Sequence, residues 1–522
     1  MRKRRKFLCG LIVCLGATTA GCWQDNPPPA KPTPSYQGIT LTVGAIDEPV
    51  LLEGVSSQRG EWVASRGGQV EVRPKPLTPG SAGEVDLLLF PGSRLGDLID
   101  ASRLQAIPNE AVMPPPPPDA GTLGTGPSPG DPAFASTPAP DAEGLYDYMG
   151  IASAYRDHVT RYGNERMALP YGASVLVLAY RRDAFQREAN RSAAAAKGIQ
   201  LEPPRTWEEL DVLARFFEGI DWDGDGRPGH GIAVVLGDDP EELGNATFLA
   251  RAASLGQHPD QFSFEFDSGK MEPRIGSEPF VKALAGLIAL KSAGPPGMEH
   301  FDAVAARQAF HDGKVAMLID RAERAAAWSN GKPVSVAPLP GSTRVFDPGS
   351  KAWTKPQQRN APSYLPRGGG WLIGIRAGLS GTQKDAAIDL AKYLSDPENS
   401  NRIRAERAFP MVPFRTAIVS QGLADPTSAP DVDTRLWAEA VGKTLAERPV
   451  VGLRIPGAEE YHRDLAAGRK AALAGKDPRA ALADVARAWS ERLKALGRKR
   501  QRWHYQRSLN LRTSSEPPAP GT

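Results

Sequence analysis

Three aspartates at alternate positions, Asp221, Asp223 and Asp225, stand ahead of Gly226 in the run Asp221-Trp222-Asp223-Gly224-Asp225-Gly226. Carboxylates at the first, third and fifth places with glycine at the sixth open a calcium loop, whose twelfth place carries a bidentate glutamate. Here the twelfth place is Ile232, so Asp238 or Asp239 would have to fold back to complete the shell. The competing reading is an Asx-rich turn before a strand at 231–235, which needs only local hydrogen bonds. With the key ligand missing, no metal is expected, and these three aspartates remain a calcium candidate short of donors.

Other chemistry is harder to find. The histidines at 158, 230, 258, 300, 311, 462 and 504 show no His-x-His or His-Glu-x-x-His spacing, so no zinc hydrolase site is visible. Gly172-Ala173-Ser174-Val175 fails as a nucleophile elbow at its final glycine. No Walker loop is present, and no Gly-x-Gly-x-x-Gly follows the first strand. No catalytic residue and no cofactor are expected, and the chain reads as something other than an enzyme.

The three cysteines are Cys9, Cys14 and Cys22, so everything after residue 22 lacks a thiol for a disulfide, metal site or nucleophile. Arg2-Lys3-Arg4-Arg5-Lys6 precedes an apolar run from Phe7 to Ala17 and a small-residue end at Ala20-Gly21. That pattern is an export signal over 1–21, and the run is shorter than the ~20 apolar residues of a spanning helix. Ala20-Gly21-Cys22 resembles the lipobox of bacterial lipoproteins, with Thr19 where leucine is usual, which makes Cys22 the candidate lipidation site. Residues 22–38 hold Pro27, Pro28, Pro29, Pro32 and Pro34 and read as an extended tether.

The 522 residues include 63 basic and 60 acidic side chains, and residues 1–21 hold five of the basic ones and no acid. Without the leader, the chain is slightly acidic, and a nucleic-acid partner is not expected. Basic residues do gather in the tail 497–522, at Arg498, Lys499, Arg500, Arg502, Arg507 and Arg512, interleaved with Trp503, His504 and Tyr505. In an exported protein this mix reads as a solvated extension that lays its aromatics on the body or near a lipid surface.

The elements that must position any site alternate in type. Strands are expected at 39–43, 85–90, 176–180, 231–235, 315–319, 334–337 and 371–375. Thr206 and Glu209 form a capping box at the start of a helix, and further helices are expected at 280–291, 384–394 and 478–496. Residues 113–141 hold ten prolines and four glycines and read as a disordered insertion. Alternation of this kind argues an α/β fold with parallel sheets in more than one lobe.

Several stretches then resemble, in order, the extracellular solute-binding proteins of bacterial ABC importers, the sugar-binding branch in particular. They are Ala168-Leu169-Pro170-Tyr171-Gly172 with Tyr180-Arg181-Arg182-Asp183-Ala184-Phe185, then Pro203 to Leu210, then Gln308 to Met317. Pro338-Leu339-Pro340-Gly341 and Gly368-Gly369-Gly370-Trp371, with Ala386 to Glu398, complete the set. The resemblance implies a two-lobed periplasmic-binding-protein type II fold that encloses solute in an interlobe cleft by hinge closure. Lobe one would be 39–170 plus 372–404, and lobe two 171–371 plus 405–496.

By the same resemblance, the chain would be a monomeric, lipid-anchored component of the periplasm or cell surface. It would pass a small-molecule solute, a carbohydrate, to ABC permease subunits in the membrane. Where the matching motifs place strand ends, the implied ligand-binding residues are Asp47, Glu48, Ser93, Tyr171, Arg321, Trp328 and Trp371. Aromatic faces beside hydrogen-bonding groups suit a sugar's apolar and polar sides. Trp207 is assigned to the core. The alternatives are a ligand-sensing lipoprotein of the same fold, or a surface-anchored glycan hydrolase with two facing carboxylates.

Overall fold

The computed structural model describes residues 34–113, 146–328, 330–405, 411–417, 429–514 and 516–519. The export signal, Cys22, most of the tether and the Pro-rich insertion, save Met113, lie outside the described residues.

Two sheets organise the chain. The strands of the first are β1 (Thr40–Ile46), β2 (Gln69–Leu77), β3 (Leu87–Pro91) and β4 (Leu104–Gln105). A small hairpin of β5 (Arg161–Tyr162) and β6 (Glu165–Arg166) precedes β7 (Leu169–Ala173), which returns to the first sheet. The second sheet holds β8 (Leu176–Arg181), β9 (His230–Ala233), β10 (Val315–Arg321) and β11 (Val334–Pro338). The short pairs β12 (Val345–Asp347) with β13 (Ala352–Thr354), and β14 (Ser363–Leu365) with β16 (Pro449–Val451), flank β15 (Gly370–Arg376) in sequence.

The first sheet runs β2-β1-β3-β15-β4 with β7 also on β15, and the second runs β11-β8-β10-β9. The parallel sheets expected from the alternation are mixed. β1 pairs parallel with β2 and β3, but β15 lies antiparallel to β3 and β7, and β8 lies antiparallel to β10 and β11. The reason is that β15 enters the first sheet from the second lobe rather than from a helix of its own lobe, so no βαβ crossover fixes its direction.

Helices cover both sheets. In chain order, those used below are α1 (Leu51–Arg66), α2 (Leu95–Asp100), α3 (Trp207–Phe217), α4 (Leu243–Gly256) and α5 (Glu278–Ala289). They continue with α6 (Gly381–Ser395), α7 (Thr434–Ala446), α8 (Ala458–Leu473), α9 (Pro478–Leu496) and α10 (Arg498–Ser508). The capping box at α3 is formed: Glu209 N donates to Thr206 Oγ1 at 3.2 Å, and Thr206 N donates back to Glu209 Oε2 at 3.3 Å. Trp207, just behind it, is buried in the core as assigned. No described helix is long and apolar enough to cross a membrane.

The basic tail is not a solvated extension. Residues 498–508 are helix α10, and its Gln501, Trp503, His504, Tyr505 and Arg507 are buried against the body. The aromatics pack on the body as expected, and Arg498, Arg500, Arg502 and Arg507 are held by carbonyls and carboxylates, while Lys499 and Arg512 are exposed.

Candidate functional site

Among the described residues, three stretches that lead from one sheet toward the other converge on Ala173. The last residue of β7, it pairs with Gly370 at the start of β15. It also exchanges two backbone hydrogen bonds with Val412, both 3.0 Å, on the passage that leads toward α7. Only Ser174 and Val175 separate β7 from β8. Ser174 Oγ donates to Glu323, and Ala322 N donates to Val175 O at 2.9 Å, so this short link is tied to the end of β10.

Just before β15 the backbone turns through four consecutive positive φ values, at Arg367 (55°), Gly368 (67°), Gly369 (105°) and Gly370 (117°). Three glycines make this affordable, because a Cβ is disfavoured at such angles. Gly368 also lies so close to Gly92, on the turn after β3, that neither could carry a side chain. The turn delivers Arg367 and Trp371 to the carboxylate of Glu48, which follows β1. Trp371 Nε1 donates to Glu48 Oε2 at 2.7 Å, and the Arg367 guanidinium pairs with Oε1. Beside this, Asp47 Oδ2 accepts from Arg94 Nε at 2.7 Å, and Arg94 also reaches Glu459 at the start of α8. Ser93 lies buried on the turn Gly92–Arg94.

A second charged group stands at the end of β10. Arg321 donates to Glu241 Oε2 at 3.2 Å, and Arg307 grips the same carboxylate with two bonds of 2.9 and 2.8 Å. Burial pushes the Glu241 carboxyl up, but the bonds from Arg307 and the charges of Arg307, Arg324 and Arg321 outweigh it and hold it at about 2. Its neighbour Glu242 lies 3.5 Å from His462 of α8. Burial again pushes this carboxyl up, while His462, then the charges of Arg367 and Arg321, bring it to about 2. The charges of Arg367 before β15 and Arg321 of β10 therefore both act on Glu242, which brings the Glu48 group and the Glu241–Glu242 group into one electrostatic neighbourhood.

Of the residues expected at the ligand, Glu48 and Trp371 are in direct contact, with Asp47 and Ser93 alongside, and Arg321 is in the second group. Tyr171 and Trp328 stand elsewhere. Tyr171 is 1 % exposed and its hydroxyl donates to Leu51 O at 3.0 Å. Trp328 is fully buried, with Nε1 donating to Asp320 Oδ2 at 2.8 Å beneath the Arg307 guanidinium. Their polar atoms are committed to the chain itself, and both rings are buried in this structure. Arg367, Arg94, Glu241, Glu242, Glu459 and His462 were missed. The signals that could have raised them are the Arg367-Gly368-Gly369-Gly370 run and the acidic stretch 238–242.

The aspartate loop forms the turn that local bonding predicts. Asp221 accepts from Gly224 N and Gly226 N at 2.7 and 3.2 Å, and Asp225 accepts from Arg227 N at 2.8 Å. Asp223 accepts from Lys332 Nζ at 2.7 Å, so an ammonium already neutralises the middle carboxylate. Among the described residues these three form the one group of acids and histidines close enough to hold an ion. A separate cavity of about 620 Å³ lies against α7, lined by Ala152, Ser153, Thr434, Ala438 and Leu445 among others, away from Glu48.

No curated protein matches this sequence. Solved structures do match its fold. One is an ABC transporter solute-binding protein from Agrobacterium radiobacter K84 in complex with ribitol: 19 % identical, covering 88 % of this chain and 99 % of its own, TM-score 0.56. Maltose-bound MalE3 from T. maritima is 19 % identical over 87 % of this chain and 100 % of its own, TM-score 0.55. The cyclic α-maltosyl-1,6-maltose binding protein from Arthrobacter globiformis is 14 % identical over 87 % and 99 %, TM-score 0.57. At these identities, the likeness establishes the two-lobed α/β fold. The sequence model of one family matches residues 80–434, well over half of the chain, and by that match this protein belongs to the bacterial extracellular solute-binding proteins.

Proposed function

We propose that this protein captures a carbohydrate or polyol between its lobes by hinge closure and passes it to an ABC permease, while tethered to the membrane through lipidated Cys22. The observation that carries the reading is Glu48, whose carboxylate is fixed by Trp371 and Arg367 in the neighbourhood of the Glu241–Glu242 group. A carboxylate held by two donors keeps lone pairs aimed in fixed directions, and a hydroxyl-rich solute is recognised by such acceptors. Arg94, paired with the neighbouring Asp47, and Arg321 and Arg324, paired with Glu241, supply further donors, and the Trp371 ring supplies an apolar edge. Family membership supports the transport role, and the ribitol- and maltose-bound relatives support the ligand class. Function then resides in binding and in the population shift that closure produces, with no bond made or broken.

Calorimetry on residues 23–522 against ribitol, D-mannitol, maltose and maltotriose tests the ligand class. Heat of binding to at least one, weakened tenfold or more by Glu48→Ala in a folded protein, is the expected result. A folded protein that binds none of them overturns it. Incorporation of an alkynyl fatty acid in cells tests the anchor, with Cys22→Ala abolishing the label; equal labelling of that variant removes Cys22.

A further inference from the structure

Helix α10 (Arg498–Ser508) lies past the stretch matched by the family's sequence model, and it bonds both lobes at once. Toward lobe one, Arg500 Nε donates to Asp100 Oδ1 at 2.6 Å, and His504 Nε2 stands 2.7 Å from the same oxygen at the end of α2. His504 Nδ1 meets the Tyr162 hydroxyl at 3.0 Å, and Arg507 donates to Tyr162 O at 3.1 Å while pairing with Glu165. Both of those partners sit on the β5–β6 hairpin ahead of β7.

Toward lobe two, the hydroxyl of Tyr505 accepts from Phe264 N at 3.0 Å and Phe266 N at 3.3 Å. Gln506 donates to Ser268 O at 2.8 Å, Arg502 to Gly269 O at 3.2 Å and Arg498 to Met271 O at 3.0 Å. That segment belongs to lobe two through Phe264, stacked on Phe280 of α5, and Phe266, stacked on Trp489 of α9. Helix α8 repeats the arrangement. Gly457 N, its N-cap, donates to Asp97 of α2 at 2.9 Å, while Arg469 donates to Asn245 of α4 at 2.8 Å.

We propose that α10 is an interlobe strap that sets how far the two lobes separate. A helix of 11 residues is about 16 Å long and does not stretch, so a hinge rotation must break one of its two sets of bonds. The set on Asp100 pairs ionised groups and the set on the 264–271 segment ends on neutral backbone groups, but α10 also continues from α9 through Gly497, so the lobe-one set is the one a rotation would break. The strap acts on the rest position of the hinge, and the inference rests on the two-lobed capture reading only for its purpose, not for its test.

Because residues 23–522 contain no cysteine, spin labels can be placed at Thr382→Cys on α6 and Ala195→Cys, exposed residues of lobes one and two. Their distance distribution is measured by electron–electron double resonance in the solute-free protein. Tyr505→Phe removes only the acceptor for Phe264 N and Phe266 N, and Asp100→Ala removes the lobe-one acceptor of Arg500 and His504. Each should shift or split the distribution relative to the parent. Val485→Ala, a core truncation in α9, should lower stability and leave the distribution in place. Distributions of Tyr505→Phe and Asp100→Ala that superimpose on the parent overturn the strap. A shifted distribution in a protein that binds no sugar leaves the strap standing and the capture reading fallen.

Discussion

Trp371 Nε1 donates to Glu48 Oε2 at 2.7 Å across 323 positions of sequence, joining the end of β1 to the start of β15. Glu48 is thereby held from the side of the glycine turn that leads into β15. Trp371→Phe keeps the ring and removes the donor. A hydrogen bond to a charged group contributes roughly 1.5–3 kcal/mol, so solute affinity should fall about tenfold or more, measured by calorimetry. Glu48→Gln, which keeps the shape and changes an acceptor to a donor, should cost more affinity than Trp371→Phe while melting at nearly the parent temperature.

Arg307 is the hub of the second group. It donates to Asp320 from Nε and Nη2 at 2.7 and 2.9 Å, and Asp320 is fully buried. Arg307→Ala leaves that carboxylate with Trp328 alone, and breaking one side of a buried pair costs about 3–5 kcal/mol. Urea unfolding should show a loss of this order, whereas Trp328→Phe, which removes one neutral donor, should cost about 1–3 kcal/mol.

Glu265 gives a pH dependence of stability. Burial pushes its carboxyl up to about 7 from 4.5. The unfolded chain releases this proton above 4.5 while the folded chain keeps it, so the favourable contribution is complete below 4.5 and is lost as pH rises through about 7. Glu265→Gln should therefore be more stable than the parent at pH 8, by on the order of 3 kcal/mol, and nearly equal to it at pH 4. Thermal melts across that range check both limbs.

Glu241 has the opposite sign. Held at about 2 by its arginines, it stabilises the fold above 4.5, and that contribution is lost as pH falls toward 2. Glu241→Gln should flatten the acid limb of the melting curve against pH and leave the slope above pH 5 unchanged.

Calcium should have no effect on the melting temperature at millimolar concentration, because Lys332 occupies the charge of Asp223 and backbone groups occupy Asp221 and Asp225. A rise in melting temperature reversed by a chelator would show instead that an ion displaces the lysine.

Much of the scaffold was legible because its signals are local. Helix α9 runs over the expected 478–496, with Asp477 capping Ala480 N, Pro478 in the first turn and Gly497 at its end. By contrast, α1 hides its buried Leu51, Leu52, Val55 and Trp62 among polar residues and glycines, with little amphipathic pattern. Strand β2 carries Pro74 and Pro76 and exposes most of its side chains, as an edge strand can, and so reads as loop. The site was less legible for a related reason. β7 and β10 are buried throughout, so no alternation tells which of Tyr171, Arg321 or a neighbour faces solute. Arg367 matters through a backbone turn, and the basic residues of α10 matter through partners hundreds of positions away, neither of which spacing reveals.

Ala173 has a mechanical meaning. Three separate threads of chain run between the lobes, and at that residue they are laced together, to Gly370 on one side and Val412 on the other. A door on three pins swings freely only when the pins share one line. In the proposed closure, lacing the threads at a single residue would favour swinging over sliding. Under the proposed closure, the direction of opening would follow from backbone bonds at Ala173, and Ala173→Pro would remove the one donated to Val412 O.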